Sequence, residues 1–145
     1  MFNNLFYPLR LPSYHSVKQY EGKGNFAISK YYRFPFRLLY RQKLKMIIDM
    51  LDNQRFLTCL DYGCGPAKIF VPELKRHCDY VYTMDVGTPP YNSRSMDLIV
   101  CASVLEFVNL VKIKWDLRRI LNRSTGLLVV ASPMDTPLSR FYFKS

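Results

Sequence analysis

No run of about 18 apolar residues occurs in the chain, so no segment is long enough to cross a bilayer as a helix. The first residues, Met1-Phe2-Asn3-Asn4-Leu5-Phe6-Tyr7-Pro8, lack a basic start and a small-residue cleavage site, and no secretory signal is expected. No C-x-x-C pair exists among Cys59, Cys64, Cys78 and Cys101. Three of these fall in or beside candidate strands, the pattern of small buried hydrophobes in a reduced protein, and neither a metal centre nor a catalytic thiol is expected. Histidine is scarce: His15 and His77 are isolated and expected to be solvated. Repeats and low-complexity tracts are absent. These absences point to a cytoplasmic protein of one domain. Its 145 residues suffice to bury about 68–70% of the unfolded surface.

What is present centres on Leu60-Asp61-Tyr62-Gly63-Cys64-Gly65-Pro66-Ala67. The apolar run Arg55–Leu60 leads into it as a buried strand, and Lys68–Arg76 follows as a short helix with Pro72 near its first turn. Tyr80-Val81-Tyr82-Thr83-Met84-Asp85 then reads as a second strand ending in a carboxylate. Strand, glycine turn, helix and strand span about 30 residues, the length of one βαβ unit. Gly63 and Gly65 have no Cβ, so the chain can turn sharply and approach a ligand closely. Asp85 stands where a carboxylate accepts hydrogen bonds from two ribose hydroxyls. Asp61 would lie beside the helix N-terminus, orienting the turn or pairing with a ligand ammonium group. Such a site suits a nucleoside with a charged tail.

Two further blocks follow in order. Ser95–Val108 reads as a strand turning into a helix, and Leu117–Pro133 as a helix, a glycine turn at Gly126 and another strand. With these blocks the chain resembles the class I S-adenosylmethionine-dependent methyltransferases, in particular the small-molecule, type 11-like members, over roughly residues 36 to 135. The resemblance implies an α/β fold, a Rossmann-like parallel sheet flanked by helices. It also implies S-adenosylmethionine as cofactor, held by Asp61, Gly63, Cys64, Gly65, Asp85, Val86, Cys101, Ala102 and Ser103, and a small-molecule methyl acceptor.

Departures from the family pattern matter equally. Its third glycine falls on Ala67, and the usual His after V-L-E is Phe107. No catalytic residue is assigned; Glu106 is the nearest carboxylate, and a solvated helix position explains it as well. Only eleven residues separate Asp85 from Asp97, too few for a crossover between parallel strands. The family's third strand is therefore expected to be missing, as is the antiparallel hairpin that closes the far edge. About four parallel strands remain, in the expected order second, first, fourth, fifth by family naming. Thr88-Pro89-Pro90-Tyr91 looks like the motif of amino-group methyltransferases, but Thr88 replaces Asn or Asp and the segment precedes its strand. It reads as a proline-stiffened loop.

Charge is uneven. Residues 1–58 hold ten Lys/Arg against three Asp/Glu, a net of +7, whereas residues 59–145 carry a net of +3. Phe36, Leu39, Tyr40, Leu44, Ile47, Ile48 and Leu51 recur at helical spacing after Pro35, predicting a helix that packs this stripe and leaves Arg37, Arg41 and Lys45 solvated. Just before it, Lys30–Arg37 interleaves aromatic and basic side chains, as nucleic-acid and anionic-membrane surfaces do. Residues 1–35 are thus set apart as a basic, aromatic segment in which Tyr31, Tyr32 and Arg33 are lid candidates, and residues 36–145 as the methyltransferase-like domain. Residues 1–25 are expected to be loosely ordered. A sheet with open edges also implies an oligomer, a partner, the Phe141-Tyr142-Phe143 tail folding back, or a chain that is part of a longer protein. Two functions follow: a methyltransferase, or a methyltransferase-like domain that has lost catalysis and serves binding or assembly.

Overall fold

The computed structural model describes residues 8–22, 28–84, 95–102, 117–121 and 126–131, without the side chains of Val130 and Ala131. Apolar runs rich in β-branched and aromatic residues form four strands: β1 (Phe56–Tyr62), β2 (Cys78–Met84), β3 (Leu98–Ala102) and β4 (Leu127–Ala131). They pair in parallel in the order β2-β1-β3-β4. That is the spatial order the sequence implies. Central β1 aligns Tyr62 with both Met84 and Cys101, so three strands end at one level. Among the described residues there is no further strand.

Alternation along the strands sorts the core onto two faces. On one face, Cys59, Leu98, Val100 and Val129 pack with Leu44, Ile47, Ile48 and Leu51 of the long helical segment. On the other, Leu60, Tyr62, Ile99 and Cys101 pack with Leu117 and Ile120, which belong to a helical turn at residues 117–120. Met96 N–H donates to Ile120 O at 2.6 Å and Thr58 Oγ1 accepts from Asp97 N–H at 3.0 Å, so the entry to β3 is tied on both sides.

Besides the helical turn at 117–120, the described residues form α1 (Tyr14–Val17), α2 (Phe36–Met50) and α3 (Val71–Leu74). Helix α2 begins after Pro35, as the sequence predicts, but its buried stripe is narrower. Leu44, Ile47 and Ile48 are buried, while Leu39 is exposed and Phe36 and Tyr40 are half-covered. The inward direction is set where α2 crosses the sheet, and Leu39 lies outside that arc. Arg41 is not simply solvated either: its Nε donates to Tyr31 O at 3.0 Å and its guanidinium lies 5.7 Å from the Tyr32 ring.

The N-terminal residues depart most from expectation. Residues 8–22 are not loose: Ser13 caps α1 through its hydroxyl, and Val17 is buried beside Ile28 and Tyr31 in the α2 cluster. Tyr32 Oη donates to Pro12 O at 2.5 Å, and Arg10 N–H donates to Glu73 Oε2 at 2.8 Å. Burial pushes the Tyr32 phenol above its ordinary range, and the nearby Arg41 charge partly offsets this. Gly22, whose φ is +78°, redirects a segment that packs through its aliphatic and aromatic side chains.

Glu73 explains much of this attachment. Its carboxylate is 0% exposed on α3, a costly position unless paired. Besides Arg10 N–H, Arg76 Nη1 lies 3.4 Å from Oε2 and His77 Nε2 3.3 Å from Oε1. His77 is therefore not the solvated histidine the sequence suggests; its side chain is only 14% exposed.

Candidate functional site

Strand β1 delivers Asp61 and Tyr62 to the carboxyl edge of the sheet, where Gly63 turns the chain with φ +76° and Gly65 repeats the left-handed conformation at φ +68°. A side chain at either position would meet the steric penalty that glycine avoids. Gly63 N–H donates to Met84 O at 2.7 Å, locking the turn against the end of β2. The residue after Met84 is Asp85, which lies outside the described residues, as do Val86, Ser103, Glu106 and the Thr88–Tyr91 segment.

The turn does not feed directly into a long helix. Residues 65–70 continue as turns, Lys68 adopts φ +50°, and α3 is only four residues long with Pro near its start. Pro66 and Pro72 explain the shortness, because each removes an amide donor that a continuous helix needs. Asp61 consequently faces a turn instead of a helix N-terminus.

A shallow cleft opens here, lined by Asp61, Gly63, Cys64 and Ala102 at the strand ends and by Tyr31, Leu44, Ile69 and Phe70. In the order β2-β1-β3-β4 the chain leaves β1 toward β2 and later returns to its other side as β3. The β1/β3 crevice is thus the switch point where open α/β sheets bind ligands. Asp61 is buried at this edge and supplies negative charge, whereas Ala102 leaves room beside the β3 backbone.

Four of the nine sequence-derived site residues meet in this lining: Asp61, Gly63, Cys64 and Ala102. Gly65 shapes the turn without lining the cleft, and Cys101 packs with Met84, Met96 and Ile99 on the opposite face. Burial, aided by the Asp61 charge, pushes the Cys101 thiol up to about 12, so it stays protonated at neutral pH. Cys59 is also pushed up, by its hydrogen bond with Cys78 and by burial. All four cysteines are free and buried. Among the described residues no cluster of three His, Cys, Asp or Glu side chains forms a metal site.

Tyr31, Leu44, Ile69 and Phe70 were not legible as a set. Leu44 carries the signal of the helical stripe and Tyr31 that of a lid candidate, but nothing local brings them to Gly63. Tyr31 is held by an edge-on contact with Tyr40, ring centroids 4.6 Å apart, and by the Arg41 hydrogen bond to its carbonyl. It forms a buried wall of the cleft.

Among solved structures, the chain is similar to the N-methyltransferase NodS of Bradyrhizobium japonicum WM9, whose crystal structure contains S-adenosyl-L-homocysteine. The two superpose with a TM-score of 0.58 at 18% identity, covering 89% of this chain and 77% of that one. The fold is that of the class I methyltransferases. No protein-family model matches the chain. In sequence it is 23% identical over 121 residues to the uncharacterized protein MJ0638 of Methanocaldococcus jannaschii, a match that takes in 70% of this chain. The chain spans about half, 52%, of the length of that curated relative. No described helix is long and apolar enough to cross a membrane.

Proposed function

We propose that the chain is an S-adenosylmethionine-dependent methyltransferase domain acting on a small molecule. The observation that carries this reading is the crevice at the β1/β3 switch point, where Asp61 and the left-handed Gly63 share one cleft with Ala102. The residues present fit the cofactor chemically. Gly63 lets backbone approach the ligand, Asp61 complements an ammonium or sulfonium charge, and Ala102 leaves space at the β3 end. Asp85, next in sequence to the end of β2, is the group proposed for the ribose hydroxyls.

The cofactor supplies an activated methyl group whose leaving sulfur is already positively charged, so transfer to a nucleophile needs little from acid–base groups. The task of this chain is then to bind, orient and exclude water. Tyr31, Leu44, Ile69 and Phe70 provide the apolar wall that does the last of these. Neither Cys64 nor Cys101 is used as a nucleophile in this reading, and burial holding Cys101 protonated is consistent with that.

Thermal unfolding with and without S-adenosyl-L-homocysteine tests the proposal. Ligand at ~100 times its dissociation constant should stabilise the fold by about 2.7 kcal/mol. Absence of any shift at millimolar ligand, in a folded protein, would sink the reading. The alternative is then the better one: a methyltransferase-like domain serving binding or assembly, which the four-stranded described sheet also fits.

A further inference from the structure

The outer face of α2 is chemically unlike an ordinary solvated helix surface. At ~100° per residue, Leu38, Leu39, Met46 and Met50 gather on the side opposite Leu44, Ile47 and Ile48, interrupted by Gln42 and Asp49. Leu38 is 57%, Met46 60% and Met50 63% exposed, and Phe34, just ahead of the helix, is 71% exposed. Lys45, and beyond it Arg41, border this apolar strip on one side and Lys43 on the other. Over residues 30–50 six Lys/Arg stand against one Asp.

Three occupants suit an apolar strip, and the charges and rings choose among them. A second copy of the chain would set basic borders against basic borders. Single-stranded nucleic acid would need a run of aromatic platforms on which bases stack, but Phe34 is the one exposed ring among the described residues of this stretch. Tyr31 is buried, Tyr32 is bonded to Pro12 O, and Tyr40 is packed on Tyr31. Lys30 lies 5.6 Å from the Phe36 ring and Arg33 5.8 Å from that of Tyr14. What remains exposed is mostly aliphatic and thioether surface edged with cations. That is the chemistry of an interfacial helix on an anionic lipid bilayer, with apolar side chains entering the acyl boundary and Lys/Arg meeting headgroup phosphates.

We infer that the outer face of α2 docks this protein onto anionic membrane surfaces, with Leu38, Met46 and Met50 inserting and Lys43 and Lys45 contacting headgroups. This rests on no reading of the cleft. The inner face of the same helix contributes Leu44 to the cleft wall, so docking leaves the core packing untouched.

Co-sedimentation of the full chain with vesicles tests it. Binding is expected to phosphatidylcholine vesicles containing phosphatidylglycerol, and not to phosphatidylcholine alone. It should weaken strongly near 1 M salt, where the screening length falls to about 3 Å. The pair Leu38→Gln/Met46→Gln removes apolar surface without changing charge and should lower affinity about tenfold. Lys43→Gln/Lys45→Gln should do so through charge. Both pairs should melt at the wild-type temperature, because these side chains lie outside the buried stripe. Tyr80→Ser, at an exposed aromatic on β2, should leave binding intact. The inference is overturned if anionic vesicles do not bind, if the Leu38/Met46 pair binds like wild type, or if Tyr80→Ser weakens binding as much. It is equally overturned if light scattering shows a wild-type dimer that the Leu38/Met46 pair dissociates, which would assign the face to a second copy.

Discussion

Glu73→Ala is expected to destabilise the protein by about 3 kcal/mol, and the reason is confined to a few atoms. The carboxylate is 0% exposed and accepts from Arg10 N–H at 2.8 Å, a charge-assisted bond worth roughly 1.5–3 kcal/mol with the donor left unsatisfied when it is lost. The Arg76 and His77 contacts, at 3.4 and 3.3 Å, add less: both are longer, and Arg76 is 31% exposed, so solvent screens it. For a domain of this size about 3 kcal/mol lowers the melting temperature by roughly 6–12 °C. Glu73→Leu restores volume without an acceptor and should fall nearly as far, which separates lost hydrogen bonding from a cavity. Since Glu73 ties residues 8–10 to α3, the variants should also expose Arg10 and Lys18 to trypsin under native conditions. A melting temperature within about 1 °C of wild type, or unchanged tryptic cleavage, would refute the argument that this buried carboxylate anchors the N-terminal segment; a change below ~0.5 kcal/mol is what an ordinary surface substitution gives.

Gly63→Ala places a Cβ on a residue with φ +76° and should cost about 1–2 kcal/mol in urea unfolding; a neutral effect would show that the turn relaxes. Cys101, pushed up to about 12, keeps its proton after an unfolded thiol has lost its own, so its contribution is intact below about pH 8.5 and is lost as pH rises from there toward 12. Stability should therefore decline above about pH 9, and Cys101→Ala should flatten that decline; an identical pH profile would count against it. Strand β4 pairs only with β3 among the described residues, and Val129→Pro should remove a backbone donor there. If the sheet edge is used for assembly, sedimentation will show wild-type oligomers that this variant lacks, and a wild-type monomer at high micromolar concentration would end the edge-pairing idea.

The sequence by itself determined the features whose physics is local. An apolar run before Gly63-Cys64-Gly65 specifies a strand entering a left-handed turn, because few other residues adopt φ +76° and +68° without strain. The count of eleven residues between Asp85 and Asp97 leaves no room for a crossover helix and strand, and the order β2-β1-β3-β4 follows from the blocks that remain. Pro35 and the apolar spacing after it place α2. Tertiary structure decided the rest, where the partners lie far apart in the chain. Which arc of α2 is buried depends on its crossing over the sheet, so Leu39 could be counted into the stripe and still be exposed. Glu73 and His77 read as surface polar residues until Arg10, 63 positions earlier, closes over the carboxylate. The wall of the cleft gathers Tyr31, Leu44 and Phe70 around Asp61 because three separate segments pack on one end of β1, a juxtaposition that no periodicity encodes.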